Sequence, residues 1–476
     1  MRFDVVIVGG GAAGCVLARR LAEHGDRSVL LLEAGPDTTA TSTMDLHQAW
    51  RLPTMSDWGY LSENGDRLRR GRMLGGTSWL TRFAVRGAAA DFEAWAHHGI
   101  DGWAWADVLP TFRAIERDLE YGDDQWHGAN GPLPITRYPA LSRERLHAEV
   151  VEALVASGFP QVPDHNAPDA VGVGPMPMSS QDGRRVSAVD GWLGDRPPSL
   201  AVRCDTVVDR VETRAGRATG VRLADGEFVE ADEVILTAGT YGSPCILLRS
   251  GIGPAPHLRA LDISVVHDLP GVGENLADHP AVDFDTGWLG DGVLGEDPIL
   301  HSVATLRSSA GTSAAPDLLL WLADLEAGDS FVISLVLMKP VARGRVRLSG
   351  TAPGDPPRIA LPVPVGEDRT RVLEALDRTI DALGRAPGAS ARVVRQPSDP
   401  HAWVMENARS LPHVVGTCRM GGRADEGAVV DRACRVHGLA GLRVVDASIF
   451  PEPPAGFPHL SVLMAAERVA AMVRAE

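Results

Sequence analysis

Along the first 33 residues the spacing of apolar side chains changes twice. Phe3-Asp4-Val5-Val6-Ile7-Val8 is nearly continuous, as expected of a strand covered on both faces of a parallel sheet. Gly9-Gly10-Gly11-Ala12-Ala13-Gly14 interrupts it, and Cys15 to His24 predicts a helix. Ser28-Val29-Leu30-Leu31-Leu32 then reads as a second buried strand that delivers Glu33 at its carboxyl end. The glycines allow a tight turn and let backbone amides approach a pyrophosphate, while the helix aims its positive N-terminal end at the same phosphates. Glu33 stands about 20 residues past the loop, where a ribose hydroxyl needs an acceptor. The unit predicts a dinucleotide site, and taken alone it fits NAD and FAD equally.

Beyond Glu33 the regular alternation stops. Ala34-Gly35-Pro36-Asp37 opens an irregular stretch rich in Ser, Thr and Asp. In Arg69-Arg70-Gly71-Arg72-Met73-Leu74-Gly75-Gly76-Thr77-Ser78, paired glycines and two hydroxyls can bring amides to an anion; a basic surface turn fits equally. Asp91 to Trp95 and Trp105 to Phe112 have helical spacing, with their tryptophans assigned to the core. A helix is predicted over Leu146 to Ala156, then a long loop from Pro163 to Ser180 of the kind used as lids. Val202 to Val211, Thr219 to Leu223 and Glu227 to Val229 read as strands, with Asp225-Gly226 as a hairpin turn.

Glu233 to Leu236 is another buried strand, and it ends at Ala238-Gly239, small residues that let a cofactor come close. It returns the chain to the first sheet, so the nucleotide lobe is discontinuous. Ser243 to Leu248 starts a helix, and Leu269 to Leu276 is a glycine-punctuated loop. Between Asp283 and Leu361 the pattern is strand-like, predicting an antiparallel sheet that walls a substrate lobe. Met-rich Pro175 to Met178 and Trp288 suit either a pocket lining or core packing. Thr370 to Leu383 is an amphipathic helix.

The chain's chemistry gathers near its end. His413 precedes a glycine turn; Leu442 to Ser448 reads as a short strand carrying Asp446; and His459 opens a helix running to Ala470. An acid at the end of a parallel strand sits where cofactors bind and can accept a hydrogen bond from a polyol chain. A neutral imidazole can take a proton from an alcohol, and a helix N-terminus can stabilise negative charge on a reduced cofactor. His97, His98 and His437 carry no such setting and read as structural.

Composition narrows the partners. The 476 residues, 44% hydrophobic, suffice for two or more lobes. The net charge of −16 repels phosphate backbones and anionic lipid, which argues against nucleic acid. Lys339 is the only lysine, a bias that fits a GC-rich bacterial genome. Five scattered cysteines without metal-ligand spacing suggest free thiols, no metal site and a cytoplasmic setting. The first strand begins too early for a signal peptide, and no apolar run is long enough to span a bilayer.

Taken in order, these motifs resemble the glucose–methanol–choline (GMC) oxidoreductases, a flavoprotein family. The resemblance rests on Gly9 to Gly14 with Glu33, and Arg72 to Ser78 with Val85-Arg86-Gly87 and Asp91 to Trp95. Gly239 to Pro244, Ser250 to Gly253, Asp268 to Leu276, the His413 segment and Val444 to Ser448 extend it over nearly the whole length. It implies an α/β fold: a discontinuous Rossmann-like FAD-binding domain (1–35, 65–90, 200–280 and 415–476) and an α+β substrate domain on an antiparallel sheet (36–64, 91–199 and 281–414). It also implies that Gly9, Gly11, Ala12, Ala13, Gly14, Glu33 and Ala34 hold the ADP half of FAD, with Val208 at the adenine. Arg72, Gly75, Gly76, Thr77, Ser78 and Ala238 would lie along pyrophosphate and flavin, Asp446 and Ala447 at the ribityl chain, and His459 and Leu460 at the pyrimidine end. His413 matches the family's active-site histidine, and His459 its partner.

The chain departs from that pattern in three places. Trp79-Leu80-Thr81-Arg82-Phe83 replaces an Ala-Ile-Asn-Gly type run and is one residue shorter. Leu80 stands where some members attach FAD through histidine, so the cofactor is expected to be noncovalent. Phe457-Pro458 replaces a polar Asn-Thr pair, which makes the pocket edge more apolar. The resemblance implies oxidation of an alcohol to a carbonyl, with oxygen or another carrier taking the electrons. A hydroxynitrile-lyase-like reaction is the alternative, with a decarboxylase or a non-catalytic flavin binder behind it.

Overall fold

The structure is a computed structural model that describes residues 2–37, 56–81, 83–137, 145–289, 302–311, 314–323, 330–385 and 397–476. Most of the irregular stretch after Glu33, the Arg82 position and the side chain of Trp288 lie outside the described residues.

A seven-stranded sheet carries the glycine loop. Its path runs Leu200–Arg203, Val29–Leu32, Arg2–Val8, Phe228–Leu236, Arg217–Leu223, Val208–Arg214, and Leu442–Val444 also pairs with Phe228–Leu236. Arg2–Val8 is parallel to both of its neighbours, with Val8 opposite Leu32 on one side and Leu236 on the other. Three strand ends, and the residues just after them, therefore open on one edge: Gly9, Glu33 and Thr237. Leu442–Val444 adds a fourth, parallel to Phe228–Leu236, and brings Asp446 to the same edge. Ligands of open α/β sheets bind along the carboxyl ends of strands for this reason.

The structure corrects four expected boundaries. The first helix spans Ala12–Ala22, starting within the glycine loop. Val202 to Val211 is two strands: Leu200–Arg203 pairs with Val29–Leu32, and Val208–Arg214 forms the far edge. The break falls at Asp205, whose left-handed φ of 51° ends the first strand. Conversely, Glu227 to Val229 and Glu233 to Leu236 belong to one strand, Phe228–Leu236; its polar residues in the middle hid the continuity. The expected loop from Pro163 to Ser180 contains strands Gly172–Pro175 and Pro177–Met178, because its glycines and prolines lie at a sheet edge.

A second sheet is antiparallel throughout, in the order Arg409–Ser410, Pro280–Leu289, Ser330–Leu337, Leu318–Ala323, Ser302–Leu306, Gly172–Pro175. Its side chains divide by the two-residue period of a strand. Leu318, Leu320 and Leu322 pack with Phe284, Ile333 and Leu335 against helices Arg145–Ala156 and Glu367–Leu383. Leu319 and Trp321 point the other way, with Ala281, Val303 and Val336, into a separate cluster with Phe83, Met176, Met178, Leu411 and Phe457. Both faces are apolar, which is why this region reads as continuous hydrophobic runs. The single lysine ties the end of this sheet to the approach of the C-terminal helix: Lys339 Nζ lies 2.8 Å from Asp91 and 2.9 Å from the Pro453 carbonyl.

Candidate active site

One cleft runs across the strand ends. Its first end is lined by Gly9, Gly11, Glu33, Ala34 and Val208, and its far end by His413, Asp446, Ala447 and His459. Ala12, Ala13, Gly76, Thr77, Ser78 and Ala238 lie between them. Of the remaining expected residues, Gly14, Arg72, Gly75 and Leu460 do not line it. They stand just behind. A Cβ on Gly14 would meet Gly9 O at 2.0 Å, so this glycine seats the first helix against the loop. Gly75, at φ +92°, donates its N–H to Gly10 O at 2.7 Å and fastens the second glycine loop onto the first. Arg72 sits over the Trp58 ring, 5.3 Å from its centroid, and Leu460 is core.

The cleft's construction suits FAD. Gly11 caps the first helix without any side-chain bond, the helix has no acid in its first turn, and a Cβ on Gly11 would meet nothing within 4 Å. That is an open cradle at a positive helix end, suited to a pyrophosphate. Glu33 accepts hydrogen bonds from Gly10 N at 2.7 Å and Gly35 N at 2.9 Å. Burial pushes its carboxyl up to about 7, and ribose hydroxyl donors would lower it again. Asp446 accepts from Gly239 N (2.9 Å), Ser243 Oγ (2.6 Å) and Ser448 N (2.8 Å); burial holds its carboxyl above the ordinary value. Leu80 closes the short turn Gly76–Trp79 and offers no atom for a covalent link.

At the far end the C-terminal helix, Pro458–Arg474, begins at Phe457 with no side-chain cap and no acid in its first turn. His459 is the second residue of that helix, and its Nε2 is buried without a hydrogen-bond partner. Burial, then Arg185, lowers its imidazole to about 4. His413 is lowered well below the ordinary histidine value by burial and by its neighbours His279, Arg70 and Arg409. Both rings are therefore neutral at pH 7.

Two residues here were missed in the sequence. His279 Nδ1 lies 3.1 Å from His413 Nδ1, and burial lowers His279 to about 3. The only signal was its place three residues past the Leu269 to Leu276 loop. Arg185 was missed because it sits beside Arg184 in a hairpin, Ser180–Gln181 with Arg184–Arg185. Phe457 was singled out, and its ring packs against His413 with centroids 4.8 Å apart.

Two family models, the N-terminal and C-terminal parts of GMC oxidoreductase, match residues 3–281 and 340–466. The chain is 35% identical to a 5-(hydroxymethyl)furfural oxidase from Methylovorus sp. (strain MP688) over 98% of both sequences. It is also 35% identical to an oxygen-dependent choline dehydrogenase from Serratia proteamaculans (strain 568), covering 100% of this chain and 96% of the relative. The crystal structure of pyridoxine 4-oxidase from Mesorbium loti superimposes with a TM-score of 0.90 at 32% identity, covering 99% of both chains. With a glycine cradle at one end of the cleft and paired histidines at the other, the chain belongs to the GMC oxidoreductase family and is an FAD-dependent oxidoreductase.

Proposed function

We propose that this enzyme oxidises a primary alcohol borne on an apolar or aromatic group, with His413 as the proton acceptor. The observation that carries the proposal is the His279–His413 contact. With Nδ1 facing Nδ1 at 3.1 Å, one ring must donate and the other accept. We assign the proton between them to His413, leaving His279 Nδ1 as the acceptor. His413 then donates from Nδ1, and its Nε2 keeps a lone pair for the cleft. The bound FAD supplies the acceptor for the hydride that leaves the carbinol carbon. His413 Nε2 takes the hydroxyl proton, His459 shares in holding the oxygen, and Gly9, Gly11, Glu33, Gly76 to Ser78, Val208 and Asp446 hold the cofactor.

The wall beside His413 supports the substrate class. Phe457 lines the cleft, and Phe83 and Trp321 back it from the core, the three centroids lying 4.9, 5.4 and 6.0 Å apart. The charged groups acting on His413 are arginines and a histidine, and the nearby Asp278 bonds Ser410 and the His413 N–H. Among the described residues, the groups that act on His413 include no carboxylate to attract a cationic substrate. Ring-borne alcohols, as named for the furfural oxidase and the pyridoxine oxidase relatives, fit better than choline. Oxygen is the proposed electron acceptor and the cytoplasm the proposed location; among the described residues no helix is long and apolar enough to cross a membrane.

The test is an anaerobic panel of aryl, aliphatic, sugar and amino alcohols followed by readmission of air. Bleaching of flavin by aryl alcohols, then its return, is expected; cleavage of cyanohydrins with no bleaching would instead establish the lyase. Phe457→Ala is expected to raise kcat/KM for bulkier aryl alcohols over the smallest one by about tenfold, since a pocket methylene group already contributes about 1–3 kcal/mol. An unchanged ratio would remove Phe457 from the substrate wall.

The pH profile follows from the sign of the His413 shift. A lowered pKa means that the ring stays unprotonated, and able to accept a proton, well below its ordinary range. The rate of flavin reduction should therefore hold level from pH 8 down to about pH 6.5 and fall only in more acid solution. A basic limb with its inflection near pH 8 would exclude this histidine as the base.

A further inference from the structure

The loop from Pro451 to Pro458, which delivers Phe457 and His459 to the cleft, holds four prolines and has few N–H groups with which to fix its own shape. It is held from outside, along Val85 to Asp91. Phe457 N–H donates to the Val85 carbonyl at 3.0 Å, and Ala455 N–H donates to Asp91 Oδ2 at 2.7 Å. A Cβ on Gly456 would meet Arg86 O at 2.3 Å, so the two segments lie in close contact. A third hold comes from a distant part of the chain. Lys339 Nζ donates to the Pro453 carbonyl at 2.9 Å and to Asp91 Oδ1 at 2.8 Å, with Glu452 Oε2 3.4 Å away.

That lysine belongs to the second sheet. It stands two residues past strand Ser330–Leu337, which pairs with Pro280–Leu289, the strand that begins directly after His279. Pro280–Leu289 also pairs with Arg409–Ser410, which leads into His413. His279 and His413 are therefore placed by this sheet, whereas Phe457 and His459 are placed by the loop and the C-terminal helix. Lys339 joins the two. Its side chain is 10% exposed and that of Asp91 0%, so solvent ions screen the pair little.

We infer that Lys339 is a positioning residue: by clamping Asp91 and the Pro453 carbonyl, it sets the gap across which His413 and His459 hold one substrate oxygen. The inference rests on the roles proposed for those two histidines. Lys339 does not line the cleft, so it acts through the loop. A displacement of about 1 Å in such a gap can slow the chemical step by about 10²-fold while the substrate still binds.

Lys339→Met, Lys339→Arg and the parent holoenzyme would be compared with whichever alcohol of the panel bleaches the parent flavin fastest. Stopped-flow absorbance gives the limiting rate of flavin reduction and the apparent dissociation constant of the alcohol. Amide hydrogen exchange over Ala455 to Val462 reads the loop without turnover. Lys339→Met is expected to keep its FAD, bind the alcohol within about twofold of the parent, exchange faster over the loop and be reduced about tenfold more slowly. Lys339→Arg, which keeps a cation at Asp91, should recover most of the rate. A lysine that only stabilises the fold would lower the thermal midpoint of Lys339→Met and leave the limiting rate parental, and that result would overturn the inference. So would an equal loss of rate in both variants, or weaker alcohol binding with no loss of limiting rate. If Lys339→Met does not fold, Lys339→Gln takes its place under the same criteria, and failure of both to fold also overturns it. If no alcohol bleaches the parent flavin, the proposed function fails; the exchange measurement then decides the clamp, faster exchange in Lys339→Met supporting it and parental exchange overturning it.

Discussion

His413→Ala is expected to leave FAD bound and to slow its anaerobic reduction by substrate about 10²–10⁴-fold, the usual contribution of a positioned general base. The cofactor should survive because the segment is held by its backbone. His413 N–H donates to Asp278 Oδ1 at 2.9 Å, and the Val414 carbonyl accepts from Thr240 Oγ1 at 2.8 Å. Truncation removes neither bond. It does orphan His279 Nδ1 in a buried setting, which costs about 1–3 kcal/mol of stability. Stopped-flow absorbance gives the rate, and the bound flavin spectrum confirms that the site is intact. Parental reduction rates in a variant with full FAD would remove His413 from the chemistry.

Gly14→Val is expected to abolish FAD binding together with the local fold, whereas Gly11→Ala should lose FAD and keep the fold. The contrast comes from where each Cβ would point. At Gly14 it would lie 2.0 Å from Gly9 O and 3.0 Å from Thr237 Oγ1, inside the packing between helix and sheet. At Gly11 it meets no protein atom within 4 Å, and φ is an ordinary −73°. The methyl of Gly11→Ala would therefore fall in the space assigned to the pyrophosphate. An FAD dissociation constant at least about 100-fold weaker, or about 2.7 kcal/mol, is expected in Gly11→Ala with an unchanged thermal midpoint of the apoprotein. If Gly11→Ala binds FAD as the parent does, the cradle has been misplaced.

Much of the fold was legible because its signals are local. The first strand, the glycine turn and Glu33 lie within one short stretch, and the second sheet's runs are apolar on both faces. What failed depended on partners far along the chain. The central segment of Phe228–Leu236 carries Glu230, Asp232 and Glu233, and it reads as two short strands until Arg2–Val8 is laid beside it. The break at Asp205 turns on one left-handed residue, which its side chain permits without demanding. At the candidate site, His413, His459 and Asp446 were marked by their position next to turns and helix starts. His279 and Arg185 had no such marker: the first matters through a single 3.1 Å contact, and the second through lacking any.

The order of strands in the first sheet also sets a timetable. Arg2–Val8 leaves the ribosome first, yet one of its two parallel neighbours is Phe228–Leu236 and the sheet gains Leu442–Val444 only near the chain's end. At about 5–20 residues per second, the first strand waits roughly 10–50 s for that neighbour, exposing a flat apolar edge meanwhile. Parallel pairing across such a separation is slow. In cells, yield should therefore respond to slower growth temperature and to chaperones that shield a nascent strand, more than to added FAD, which finds its cradle only after both late strands have docked.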